Sequence, residues 1–385
     1  MTSDDVERRT GRVDVVGVDV YEMVPGQDRI YEAFVAAHPH ALLYHSLRFR
    51  DFLIELLGCQ PHYGVALEGG KVVGVLPMMS AVGAYGRVLN SLPYFGSNGG
   101  ILANGPGARS ALAQWYEACA TAPDVAAATL IANPFDQDGT VPAHDFVDVR
   151  VSCVTPLWGL GDPDERVLGS VDGSARRNVA KARRCGVEVE VDNDAFSDLE
   201  TLHRDGMEAI GGRAKSAEFF ASVPRCFRGG HDYDLYVARL NGEVVAALLV
   251  FFYGAVAEYY VPATRPESRS EQPMAAILHC ALADAMRRGL SWWNWGGSWV
   301  SQRNLIRFKE KWGGRSSEYR YWTRMANADL LAAEPDELVA AYPGFFVAPY
   351  CSLRSGEDAG GLGGRRLSRL DADRRTLREQ PEPSR

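Results

Sequence analysis

At 385 residues and 46% hydrophobic content, the chain is long enough for two folded domains and can bury a sizeable core. Its net charge of -8 excludes a protein that coats nucleic acid or anionic membrane non-specifically, while leaving room for a local basic patch. The seven cysteines are scattered and include no C-x-x-C pair, and neither an H-E-x-x-H motif nor a Cys/His cluster occurs, so we expect reduced thiols, no metal and no cofactor.

The first elements in chain order are a strand (VDVVGVDVYEM), a helix (DRIYEAFVAAH), a second helix (SLRFRDFLIELLG) and a strand-turn-strand (VALEGGKVVGVLPMM). An extended stretch (YGRVLNSLPYFGSNGGILA), a helix (ARSALAQWYEACATA), a strand (AAATLIA) and a strand pair around DFVDVRVSCVTPLW follow. The order then repeats. VEVEVD is a strand, FSDLETLHRDGMEAI and SAEFFASVPRCF are helices, and VARLNGEVVAALLVF is a second hairpin, lying on residues 65–79 at a constant offset of 172. Glycine in each turn permits the positive φ that a tight hairpin needs. Last come the strand VAEYYVPA, the helix QPMAAILHCALADAMRRG, the strand SWWNW, the helix NLIRFKEKWG and the strand SEYRYWTR.

Strand, two helices, three strands, helix, strand, helix, strand is the element order of a GNAT-type acyltransferase domain, and the chain carries it twice. The expected fold is therefore α/β, with a mixed sheet in two tandem GNAT-like domains. Residues 1–158 form the first and 159–330 the second, divided at the Gly/Pro/Asp cluster of residues 159–163. The apolar segment 341–353 is expected to pack back on the first domain, and residues 354–385, rich in Gly, Arg, Asp and Pro, to form a disordered tail. The N-terminus lacks an apolar signal core and no apolar run approaches the ~18 residues that span a bilayer, which places the protein in the cytoplasm. A monomer is the default, because the two units can cover each other's faces.

A CoA-dependent GNAT enzyme holds pyrophosphate on backbone N–H groups of a glycine-bearing loop before its central helix. Here that loop is ATRPESRSEQPMAAIL, with no glycine, which suggests another acyl donor. The doubled unit, SARRNVAKARRCGVEVEV opening the second half, LNGEVVAALLVFFYGAVAEYYVPA, NWGGS and FKEKWGG together resemble the Fem-type peptidyltransferases and their FemAB-related relatives, over about residues 40 to 325. In the first unit HSLRF stands where a Gln-Ser and a Trp are more usual in that family, so His45-Ser46 and Phe49 depart from it. The resemblance implies transfer of an amino acid from aminoacyl-tRNA to an amine, on a cell-wall (peptidoglycan) precursor or a small metabolite. It also matches Lys309 to the family lysine proposed to stabilise the charge that develops as the amine attacks the ester. An activated ester needs orientation and a fixed cation rather than a Ser or Cys nucleophile.

Each candidate has a plainer alternative. Lys309, with Phe308 beside it, is also the kind of lysine that neutralises a helix C-terminus. Arg176, Arg177 and Asn178, with Lys181, Arg183 and Arg184, are either a solvated helix face or contacts to the phosphates of tRNA or of a nucleotide-linked acceptor. Cys185 is read as a packing residue at the helix end. Trp292, Trp293, Trp295 and Trp299 alternate as core residues do, and Trp295 is also a candidate substrate contact. Gly296, Gly297 and Ser298 would let a ligand approach the sheet edge, with Tyr260 and Tyr259 lining the same cleft and Tyr94, in SLPYFGSNGG, contributing from the first unit. Glu258 and Asp234 are equal candidates for a base, and the histidines show no mutual spacing. The rival functions are an acyl-CoA-dependent N-acyltransferase of the GNAT type, with CoA at residues 264–274, and a non-catalytic module that binds a precursor.

Overall fold

The structure, a computed structural model, describes residues 13–15, 17–94, 96, 98–135 and 141–348, so the expected tail 354–385 and residues 349–353 lie outside the described residues. The first expected strand is a short hairpin, β1 (Val13–Val15) and β2 (Val18–Glu22), turned at Gly17 with φ +83°. Helices α1 (Asp28–Ala37) and α2 (Leu47–Leu57) follow. Ser46 caps α2 by accepting from Phe49 N at 3.1 Å, while His45 is fully buried against Gly100 O and is lowered by that burial to about 4. The departing HSLRF motif therefore has an ordinary packing and capping role in this chain.

The echoed hairpins are β3 (Gln60–Glu68) with β4 (Lys71–Gly83), and β10 (Tyr233–Leu240) with β11 (Glu243–Tyr253). Both close through two-residue loops whose residues have positive φ, Gly69-Gly70 and Asn241-Gly242, as the twist of such hairpins requires. Each also carries a register shift at the same place, after Ala66 and after Ala238. The repeat therefore extends to the backbone irregularity.

The remaining elements of the first half are β5 (Gly86–Asn90), β6 (Leu102–Ala103), α3 (Pro106–Ala120), β7 (Val125–Ile131) and β8 (Phe146–Pro156). The second half has α4 (Pro163–Ser170), α5 (Gly173–Arg184), β9 (Glu188–Val191), α6 (Phe196–Glu208) and α7 (Ala217–Cys226) before its hairpin. After it come β12 (Val256–Thr264), α8 (Pro273–Arg287), β13 (Trp292–Trp299), α9 (Arg303–Lys311), β14 (Arg315–Met325) and α10 (Pro335–Ala341). The expected strand pair around DFVDVRVSCVTPLW is one long strand, β8, whose backbone pairs with β14 over Phe146–Val154 and with β13 over Arg150–Pro156 without a turn.

All strands join one mixed sheet in the order β1-β2-β3-β4-β5-β7-β14-β8-β13-β12-β11-β10-β9, with β6 beside β4. At its centre the halves exchange their last strands. β14 pairs with β7 of the first half, β8 pairs with β13 of the second, and β8 and β14 pair with each other. Helix α3 covers one face of the first half, and α4, α5 and α8 cover one face of the second. The remaining core is shared. Phe52 of α2 lies 5.9 Å from Phe219 of α7 and 5.4 Å from Phe227, ring centre to ring centre. Beyond α10 the chain returns to the first half: Tyr342, Phe345, Val347 and Ala348 are buried, and Asn90 Oδ1 accepts from Phe346 N at 2.7 Å.

Candidate active site

The site grows from a fault in the sheet. β12 and β13 run parallel and pair only at Val256/Trp292, Ala257/Trp293 and Glu258/Asn294. Past that point β13 bulges between Asn294 and Gly297 against β8, with Gly296 at φ +71° and its N–H donated to Asn294 Oδ1 at 2.9 Å. A Cβ on Gly297 would fall 1.9 Å from Tyr319 Oη, so no larger residue fits there without moving a buried ring. The bulge turns carbonyls out of the ladder, and these need donors.

Lys309 supplies them. The short link from β13 to α9 brings its ammonium over the bulge, where Nζ donates to Ser298 Oγ at 2.8 Å and Gly296 O at 3.0 Å, with Gly297 O farther off at 3.5 Å. The residue is only 2% exposed, and burial lowers it from 10.5 to about 8. A buried ammonium is tolerated here because oxygen atoms surround it.

Two cavities open on either side of α9. One, of about 670 Å³, is lined by Tyr259 and Tyr260 of β12, Trp295, Gly296, Gly297 and Trp299 of β13, and Lys309. Tyr44 and Tyr94 of the first half, Arg150 of β8, and Tyr319 and Tyr321 of β14 complete much of its wall. Tyr94 has φ +60°, an uncommon conformation for a tyrosine, and its N–H donates to Gly344 O at 2.6 Å. Lys215, on the loop before α7, places its ammonium 4.9 Å from the rings of Tyr94 and Phe219 and 5.1 Å from Tyr260. Burial lowers Lys215 to about 7, and the three ring faces act in the opposite sense by favouring its cation.

The other cavity, of about 580 Å³, is lined by Ser174 and Asn178 of α5, Arg269 and Gln272 ahead of α8, and Arg307, Phe308 and Lys311 of α9. Phe308 meets Trp295 edge to face at 6.1 Å, so this aromatic pair forms part of the wall between the two spaces. At the start of α8, Pro273 has no N–H, and those of Ala275 and Ala276 both point to Gln272 O. Little of the backbone cradle for a pyrophosphate remains, whereas three cations face the space.

The other expected residues fall around these cavities. Ser298 is buried beneath Lys309. Arg176 donates to Leu168 O and Val171 O, tying α5 to the end of α4, and Arg177 is exposed. Of the two acids, Asp234 pairs with Arg288, and Glu258 is buried, accepting from Asn294 Nδ2 at 3.2 Å and Tyr44 Oη at 3.3 Å. Among the described residues no group of His, Cys, Asp and Glu is arranged to hold a metal, and no helix is long and apolar enough to cross a membrane.

Sequence reasoning did not reach Arg150, Tyr319, Tyr321 or the basic stripe of α9. The stripe was readable, since Arg303, Arg307 and Lys311 recur every four residues. Arg150 was not, because nothing in its own strand indicates that β13 and β14 will flank it.

The family profile described as an acetyltransferase (GNAT) domain matches residues 170–299. Among solved structures, FemX superposes with a TM-score of 0.61 at 15% identity, over 80% of this chain and 98% of FemX. A conserved protein of unknown function from Bacteroides thetaiotaomicron gives 0.52 at 11% identity, over 79% and 100% of the two chains. The C-terminal domain of a putative lysylphosphatidylglycerol synthetase from Agrobacterium fabrum gives 0.50 at 12%, over 84% and 99%. No curated protein matches the sequence. At such identities the likeness is one of fold, and the fold is a Fem-like double GNAT architecture.

Proposed function

We propose that the protein is an aminoacyltransferase that forms an amide bond between an amino acid esterified to tRNA and an amine acceptor, such as a cell-wall precursor or a small metabolite. The observation that carries this reading is the pair of cavities flanking α9, one cationic and one aromatic, with Lys309 at the bulge between the parted strands. Arg269, Arg307 and Lys311 suit the phosphates at the end of a polynucleotide, and the aromatic cavity suits the acceptor.

In the reaction the acceptor nitrogen adds to the ester carbonyl, and the tetrahedral oxyanion collapses to an amide as the ribose oxygen leaves. The proton lost by nitrogen ends on that oxygen, so no outside reagent is consumed. Lys309 stabilises the oxyanion with the N–H directed at Gly297 O, the longest and weakest of its three bonds. Arg177, exposed on α5, is available to phosphates farther along the tRNA, and Asn178 faces the donor end itself.

A second reading, acyl-CoA-dependent N-acylation, is favoured by the GNAT profile match and by the position of the cationic cavity at the start of α8. Binding of charged tRNA, discharged tRNA and acetyl-CoA, compared at one moderate salt concentration, separates the two. Preference for charged tRNA, followed by amide formation with an amine, is the expected result. Saturable acetyl-CoA binding without tRNA preference overturns it.

A further inference from the structure

The wall of the aromatic cavity has an unusual charge pattern for a chain of net charge -8. Among the described residues it contains Arg150, Arg213 and Lys309 and no Asp or Glu side chain. The three cations are not equivalent. Lys309 is engaged by the bulge, and Arg213 is exposed and faces Asp336. Arg150 is held firmly: its side chain is 12% exposed and lies over the rings of Trp299 and Tyr321.

The orientation of its fork follows from Asp148, two residues earlier on β8. Nε and Nη2 both donate to Asp148 Oδ2, at 2.9 and 2.7 Å. Nη1 has no hydrogen-bond partner among the described residues, on a side chain that lines the cavity. The guanidinium is thus fixed by carboxylate and rings while one of its nitrogens stays available, the arrangement that recognises a planar anion. Asp148 already offsets much of the charge, so a singly charged anion matches better than a dianion. An isolated cationic ligand would find ring faces there but no carboxylate.

We propose that the aromatic cavity takes an amine acceptor carrying a carboxylate on a flat apolar or aromatic body, and that Arg150 reads the carboxylate. This rests on the acceptor lying in that cavity under the proposed function, and it narrows the acceptor class, disfavouring polyamines and other purely cationic amines. The rings of Tyr259, Trp295 and Tyr319 supply surfaces for the flat body, beside the guanidinium that covers Trp299 and Tyr321.

Isothermal titration of the full chain, without donor, tests this with three probes: 3-phenylpropionate, L-phenylalanine and phenethylamine, which lacks the carboxylate. The two carboxylates are expected to bind at least about 10-fold more tightly than phenethylamine, the usual scale of a charged hydrogen bond. Removing Arg150 alone would strand a buried carboxylate, so the main variant is Arg150→Gln with Asp148→Asn. That pair is expected to lose the preference. Arg150→Lys, which keeps a cation over Asp148, is measured alongside and is expected to lose part of it, since an ammonium lacks the fork. Equal binding of phenethylamine, no binding of any probe, or full preference retained in the variants overturns the proposal. A failed tRNA transfer assay with the carboxylate preference intact would overturn the donor reading alone.

Discussion

Two parallel strand pairs occupy equivalent places in the two halves, and one is closed where the other is open. In the first half β5 and β7 pair from Arg87 to Asn90, with one irregularity at the start, between Arg87 and Val88. Ser91 extends the joint, its N–H reaching Thr129 O at 3.0 Å and its Oγ accepting from Ile131 N at 2.8 Å. In the second half β12 and β13 part after three pairs, and β13 bulges at Gly296. The repeated fold therefore does not create a site by itself. The second pair opens where both strands are irregular, β12 with the extra residue Tyr260 against β11 and β13 with its glycine bulge against β8, and a lysine from the next helix satisfies the carbonyls the glycine bulge exposes.

The strongest way to break this comparison is Lys309→Met, which keeps the length and apolar stem of the side chain and removes the cation. Amide formation is expected to fall by about 100- to 1,000-fold in kcat/KM, the scale of losing one oxyanion-stabilising group. A variant that stays folded by circular dichroism yet transfers at the native rate would assign Lys309 to holding the bulge alone.

Gly297→Ala should come next. The added Cβ collides with Tyr319 Oη, and relieving it displaces a buried ring or the bulge, at a cost of about 1–3 kcal/mol in urea unfolding. Adding Tyr319→Phe removes the nearest atom and should restore part of the loss. No destabilisation in Gly297→Ala would show that the bulge is softer than its contacts imply.

The pH dependence sharpens the role of the lysine. Because Lys309 is lowered to about 8 in the folded chain from 10.5, the unfolded chain binds the extra proton between these values. The contribution of this group to stability accordingly increases as pH rises from about 8 toward 10.5. Transfer should move the other way, declining roughly 10-fold per pH unit above 8 as the cation is lost. In Lys309→Arg, whose side chain stays charged, that decline should disappear from the same window; a decline unchanged in the arginine variant would assign it to another group.

The smallest effect is expected on the closed side. Ser91→Ala leaves the Ile131 N–H without its acceptor in a buried strand joint and should cost about 1–2 kcal/mol of stability, with kcat/KM unchanged. A marked loss of transfer in this variant would mean that the two joints are coupled and that the first half is more than a support.

Much of the fold was legible. The glycine-bearing turns are local signals that backbone chemistry alone makes readable, and the hairpin echo at a fixed offset is read by laying the chain on itself. Gly296-Gly297 were legible as candidates from the glycine pair in the tryptophan strand, and Lys309 from the resemblance of FKEKWGG to the Fem-type family. The single strand β8 was misread as a pair, since alternation specifies a strand but not how many neighbours it has.

By itself, then, the sequence determined two α/β units of the same element order, a glycine interruption in the tryptophan strand, and a lysine on the helix that follows. Only the tertiary structure decided that the units exchange their last strands, that Arg150 comes to lie between Trp299 and Tyr321, and that Tyr44 joins the same cavity wall. The physical reason is range. Turns and caps are set by neighbouring backbone atoms, whereas strand partners and cavity walls are chosen by the burial of apolar surface between segments far apart in the chain.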